Sequence, residues 1–93
     1  MIETFQDRET ERVFHGMASR RLSQAVLRVA MRKLAILDAA EALQDLASPP
    51  GNRLEKLKGD REGQHSIRVN DQWRICFRWE RGDAYEVQLT DYH

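Results

Sequence analysis

The run Ser48-Pro49-Pro50-Gly51-Asn52 does most to limit how this chain can fold. Proline has no N–H to give to a helix or a central strand, and Gly and Asn favour turns, so no regular element can run through this point. The residues on its two sides follow different periods. From about Leu22 to Leu46 the chain is rich in Ala, Leu, Met, Gln, Arg and Glu. Leu27, Ala30, Leu34 and Leu37, then Ile36, Ala40 and Leu43, fall at helical spacing, so one long helix or two joined ones are expected. Beyond Pro50, β-branched and aromatic residues alternate with polar ones, as in a meander of strands. His65–Val69 leads to a turn at Asn70-Asp71, then Trp73–Trp79, a turn at Arg81-Gly82-Asp83, and a last strand from Ala84 towards Thr90. Ahead of the helical stretch, Ile2 to Phe5 alternates weakly, as a short strand would. Asp7 stands where it can cap a helix running through Val13 and Phe14 towards Gly16.

Period two assigns the faces of the strands. Ile67, Val69, Trp73, Ile75, Phe77 and Trp79 point one way, and Arg68, Arg74, Cys76 and Arg78 the other. On the last strand Glu86, Gln88, Thr90 and Tyr92 fall with the arginines, and Tyr85, Val87 and Leu89 face inward. The fold class expected is α+β, with two N-terminal helices packed on one face of a small, largely antiparallel sheet. A chain of 93 residues has room for one such core, so residues 1–93 are read as a single domain.

Lysine plus arginine (15) equals aspartate plus glutamate (15), so net charge offers no general attraction to a polyanion. Distribution is more informative. Between Glu11 and Asp38 there is no acid, while Arg12, Arg20, Arg21, Arg28, Arg32 and Lys33 supply six positive charges. A second set, Arg53, Lys56, Lys58, Arg61, Arg68, Arg74 and Arg78, runs through the C-terminal half with acids interspersed. A solvated face is the ordinary explanation of such a run, and for the first set it is the favoured one. Cys76 is the only cysteine, so no internal disulfide can form. The N-terminus lacks the basic start and apolar stretch of a signal peptide, and charges interrupt every apolar run short of a membrane span. A cytoplasmic protein without membrane contact is expected. His15, His65 and His93 lack the paired spacing of zinc ligands, and Gly59 and Gly63 are not followed by the Lys-Ser/Thr of a phosphate loop. No metal or other cofactor is expected. His65 shares a face with Ile67 and reads as packed.

Chemistry is most concentrated at the C-terminus. Tyr92 on the arginine face could stack on an unpaired base while guanidinium groups hold phosphates. Asp91-Tyr92-His93 gathers a carboxylate, a phenol and an imidazole; the imidazole exchanges protons near neutral pH and a carboxylate can orient it. On pattern alone, an exposed sheet face with a terminal tyrosine and a frayed terminal histidine is the favoured explanation of these residues.

Several segments taken together resemble a known family. Asn52-Arg53-Leu54, Leu57-Lys58-Gly59-Asp60-Arg61-Glu62-Gly63, Ser66-Ile67-Arg68-Val69, Trp73-Arg74-Ile75-Cys76-Phe77, Gly82-Asp83-Ala84-Tyr85 and Asp91-Tyr92-His93 look like the HigB toxins, or plasmid-maintenance killer proteins, of the RelE superfamily. The resemblance implies the RelE-type fold and a toxin that enters the ribosomal A site and cuts messenger RNA there without metal, by promoting attack of the ribose 2′-hydroxyl on the adjacent phosphate. By the same resemblance Asp91, Tyr92 and His93 form the catalytic C-terminal cluster and Lys58 and Arg74 neutralise the phosphate; Arg61, Arg68 and Arg78 are then expected to hold RNA, messenger or ribosomal. One position departs from the pattern. Glu55 stands three residues before Lys58-Gly59-Asp60-Arg61, where some members carry a catalytic histidine; a carboxylate cannot stabilise a phosphate as an imidazolium does, and could act as a base only in surroundings that favour its protonated form. The partners implied are a HigA-like helix-turn-helix antitoxin, the ribosome and messenger RNA, with a 2:2 toxin–antitoxin complex on operator DNA. Two other functions fit the same fold: a non-cleaving inhibitor like the ParE branch, which poisons DNA gyrase, and an inactive toxin kept for antitoxin binding and operon autoregulation.

Overall fold

Asp7 opens the first helix. Its carboxylate accepts a hydrogen bond from the Thr10 amide at 2.8 Å, satisfying one of the donors that a helix start leaves unpaired, and α1 follows over Arg8–Phe14. The helix closes where the Gly16 and Met17 amides donate to the Val13 and Arg12 carbonyls at 3.0 and 2.9 Å. That ending needs a left-handed residue, which Gly16 supplies at φ +87°. Ser23 caps α2, Gln24–Ala39, by accepting from the Val26 amide at 3.3 Å. This helix is shorter than the periodicity up to Leu46 suggests. It ends at Ala40, where the backbone becomes extended, and the Asp45 carboxylate collects the Glu41 and Ala42 amides at 3.0 Å each. A separate 3₁₀ turn, Leu43–Ala47, carries Leu46 into the core with none of its surface exposed. The computed structural model describes residues 1–48 and 50–91.

Four strands form the sheet in chain order: β1 (Glu55–Lys56), β2 (His65–Arg68), β3 (Trp73–Glu80) and β4 (Asp83–Asp91), each antiparallel to its neighbour. Glu80 and Asp83 face each other across the two-residue turn Arg81-Gly82, whose positive φ angles of 52° and 85° suit the twist of a tight hairpin. The short β1 carries two exposed polar residues and has no alternating pattern to announce it. The core lies between the sheet and the helices. Ile67, Ile75, Phe77 and Val87 meet Val13, Leu34 and Leu37, all fully buried. Each such side chain contributes about 1.5–3 kcal/mol by leaving water. Two helices on one face of an antiparallel sheet is the α+β arrangement expected.

Tyr85 does not follow the expected alternation. Glu86 adopts φ +53° and adds a residue to β4 where the pairing shifts between Cys76 and Arg78. The extra residue is a β-bulge that reverses the faces upstream of it, so Ala84 is buried and Tyr85 sits opposite Arg78 on the arginine face. The N-terminal segment secures this edge. Ile2 and Phe5 bridge in parallel to Ala84 and Val87, and the Thr4 hydroxyl accepts from the Glu86 amide at 2.8 Å. Among the described residues no helix is long and apolar enough to cross a membrane.

His65 lies on the core side, opposite Lys56 across the β1–β2 pair, with its ring 6.0 Å from that of Phe77. Burial first, and then the Lys56 charge, push its pKa below the ordinary 6.5. The folded protein therefore binds this proton less readily than the unfolded chain. Stability from a neutral His65 is present above about pH 6.5 and is lost as pH falls from there towards the folded value. Melting temperature is expected to drop between pH 7.5 and 5.5, and His65→Gln should flatten that slope in a thermal scan.

Candidate active site

The arginine face of the sheet is partly covered. Residues 50–64 fold back across it, and Ser66 and Cys76 are fully buried beneath them, with Arg74 only 8% exposed. Arg74 is fastened mainly by neutral groups. Its Nε donates to Ser66 Oγ at 2.8 Å, and its Nη2 donates to the Arg53 carbonyl at 2.7 Å and the Ser66 carbonyl at 3.5 Å. Arg53 turns that carbonyl towards Arg74 by taking a left-handed φ of 45°, which for a residue with a Cβ costs about 1–2 kcal/mol. The acid paired with Arg74 is Glu55, whose Oε1 is 3.9 Å from Nη2 and whose side chain is 55% exposed. A guanidinium is thus held in one orientation while most of its charge stays uncompensated. Ser66→Ala should remove a charge-assisted bond from this buried group and lower stability by about 1.5–3 kcal/mol in chemical denaturation.

Arg68 stands directly opposite Arg74 across β2 and β3. Like charges at such a cross-strand position repel, and an anion between them would turn that repulsion into binding. A depression of about 270 Å³ opens there, lined by Arg53, Glu55, Arg68, Asn70, Asp71 and Arg74. Arg68 also pairs with Asp71, whose side chain is fully exposed. A phosphate could compete for that arginine at little cost, because an exposed ion pair is worth about 1 kcal/mol or less.

None of the other described candidates lines this depression. Arg61 follows the turn after Lys58 and reaches across the sheet, with Nη1 donating to Gln64 Oε1 at 3.1 Å and Nη2 to Gln88 Oε1 at 3.0 Å. Arg78 lies further along the same face, its Nε 2.6 Å from Glu86 Oε2. Lys58 is exposed and free of ion pairs among the described residues. Asp91 is opposite Trp73, on the side of the sheet away from Arg74, and accepts from Gln72 Nε2 at 3.0 Å. Tyr92 and His93 lie outside the described residues. The structure therefore gathers Glu55, Arg68 and Arg74 in one depression, sets Arg61 and Arg78 along the same face, and puts Asp91 on the other. Cys76 sits beneath the arginines, where burial raises its thiol pKa more than the Arg61 and Arg74 charges lower it. A thiol so held is a packing residue and a poor nucleophile.

Residues 3–93 match the model of the RelE-like toxin of type II toxin–antitoxin system HigB. Toxin HigB-1 of Vibrio cholerae is 44% identical over 90 residues, covering 96% of this chain and 95% of that protein. The chain belongs to the HigB-like toxin family. Endoribonuclease HigB of Proteus vulgaris is 39% identical over 94 residues, with both chains covered in full. The fold is shared more widely: chains of two YoeB–YefM complex structures from Staphylococcus aureus superpose with TM-scores of 0.61 and 0.62 at 15% identity, covering all of this chain and 98% of theirs.

Two parts of this candidate site were not foreseen from sequence. Ser66 alternates with Ile67 and so falls on the arginine face, but nothing marks it as the acceptor that fixes Arg74. Arg53 acts through its carbonyl and a backbone angle that only a glycine would have advertised.

Proposed function

We propose that this HigB-like toxin is a ribosome-dependent endoribonuclease that cuts messenger RNA in the A site by metal-independent attack of the ribose 2′-hydroxyl. The observation that carries the reading is the buried, oriented and largely uncompensated Arg74 guanidinium facing Arg68 across the strands. Transesterification builds negative charge on the non-bridging phosphate oxygens, and donors already fixed in place stabilise that charge without having to reorganise. In this reading Arg74, with Lys58, neutralises the phosphorane. Arg61, Arg68 and Arg78 hold the strand. A base removes the 2′-hydroxyl proton while an acid protonates the departing 5′-oxygen, leaving a 2′,3′-cyclic phosphate and a 5′-hydroxyl end. Tyr92 or His93 moves these protons and Asp91 orients them, and Glu55, within 4 Å of Arg74, is the second candidate for the base.

The relative named Endoribonuclease HigB supports the activity, and family membership supports an antitoxin partner. We assign that partner to the HigA-like helix-turn-helix class, forming a 2:2 complex with the toxin on operator DNA, and the toxin to the cytoplasm. Induced expression tests the reading: growth should stop, with new messenger ends falling in phase with codons and disappearing in Tyr92→Ala and His93→Ala forms. Arrest with no new ends would mean a non-cleaving inhibitor on this fold. Normal growth with antitoxin binding retained would mean an inactive toxin.

A further inference from the structure

The arginines on and after α1 form more than a solvated helix face. Arg8 and Arg12 stand one turn apart on α1, and the loop after that helix brings Arg20 beside them around a cleft of about 360 Å³ also lined by Glu9 and Ser19. All three arginines are exposed, and none of their guanidinium groups has an ion-pair or hydrogen-bond partner among the described residues. Glu9, the acid in the cleft, is already engaged: Oε2 accepts from the Ser19 hydroxyl at 2.7 Å, and Oε1 is 3.2 Å from Arg21 Nε. Three positive charges are therefore left without compensation.

Glu9 also joins this cleft to a second one. Its partner Arg21 lies over the Trp73 ring, with the guanidinium carbon 4.8 Å from the ring centroid, in an open depression of about 480 Å³ lined by Arg21, Trp73, Thr90 and Asp91. A path thus leads from Asp91, over a guanidinium that lies above an indole, to three arginines without ion-pair partners among the described residues. A planar cation followed by a row of phosphate-binding groups suits single-stranded RNA: a base can stack on Arg21 while successive phosphates pair with the cleft.

We propose that the RNA strand flanking the scissile phosphate crosses Arg21 and enters the Arg8–Arg12–Arg20 cleft, so that the toxin binds a length of strand well beyond the bond it breaks. The inference rests on the nuclease reading, but its test does not depend on cleavage. Binding of 2′-O-methyl oligoribonucleotides, which cannot undergo 2′-hydroxyl attack, is measured by fluorescence anisotropy with the full chain at a series of salt concentrations. A twelve-nucleotide strand should bind at least tenfold more tightly than a four-nucleotide one. The triple variant Arg8→Gln, Arg12→Gln, Arg20→Gln should abolish that difference, leave the four-nucleotide affinity within twofold, and make the dependence of log Kd on log salt shallower by about 2, as expected for three single-strand phosphate contacts. Arg21→Gln should lose part of the long-strand affinity by removing the stacking surface. An unchanged long-strand affinity in the triple variant, with normal melting, would overturn the proposal. So would an oligoglutamate peptide of equal charge binding as tightly as the RNA, since the cleft would then be a site for an acidic protein segment. Failure of the nuclease reading would appear separately, as intact length-dependent binding in a chain that cuts no RNA.

Discussion

Arg74→Lys is expected to slow RNA cleavage by roughly 10²–10³-fold, the usual loss when one prepositioned transition-state donor is removed. The substitution keeps the charge and most of the volume. It loses the fork by which Nε takes the Ser66 hydroxyl and Nη2 the Arg53 carbonyl, and an ammonium on a flexible stem cannot satisfy both while also presenting donors to a phosphate. Single-turnover rates of product formation would show this, with RNA affinity reduced far less than the rate. Arg78→Lys is the internal contrast. Arg78 is already paired with Glu86 on a half-exposed part of the same face, so its replacement should change the rate by less than about fivefold. Equal losses in the two variants would mean that positive charge alone, and not the fixed orientation of Arg74, serves the reaction.

Asn52→Ala is expected to destabilise the fold by about 3–4 kcal/mol, a large share of the stability of a domain this size. Asn52 is fully buried just after the proline break. Its Oδ1 accepts from the Lys33 ammonium on α2, and its Nδ2 donates to the Leu46 carbonyl at 3.1 Å and the Ser48 carbonyl at 3.5 Å. Lys33 is itself buried, has no acid as a partner among the described residues, and has its pKa lowered first by burial and then by the Arg32 and Arg68 charges. Removing the amide strands a charged donor away from water and frees two carbonyls. Urea denaturation should show a lower midpoint with an unchanged slope. A loss below about 1 kcal/mol would show that Lys33 reaches water once its acceptor is gone.

The layers of the fold could be read from the chain because their signals are periodic. Leu27, Ala30, Leu34 and Leu37 mark the buried stripe of α2, and Ile67, Ile75 and Phe77 mark the inner face of the sheet. The failures occur where a local geometry interrupts the period. Nothing in the sequence indicates that Glu86 takes a positive φ, yet that one angle moves Tyr85 to the opposite face from the one alternation gives it. The end of α2 was hidden because Ala40 to Leu46 remains compatible with a helix until Asp45 turns its carboxylate back to the Glu41 and Ala42 amides.

The candidate site was legible in the same uneven way. Period two places Arg68, Arg74 and Arg78 together, but it cannot show that the aperiodic residues 50–64 cover Arg74 and fix it. The role proposed for Lys58 rests on the family resemblance alone, and those proposed for Tyr92 and His93 rest on that resemblance added to the Asp91-Tyr92-His93 triplet.

The chemistry of the cut ends is the most direct measurement to make. RNA recovered after brief induction of the toxin should carry 2′,3′-cyclic phosphate on the upstream fragments and 5′-hydroxyl on the downstream ones, and the Arg74→Lys form should yield the same ends in much smaller amount. Downstream fragments bearing 5′-phosphate would contradict the mechanism, because they require attack by water and not by the neighbouring 2′-hydroxyl.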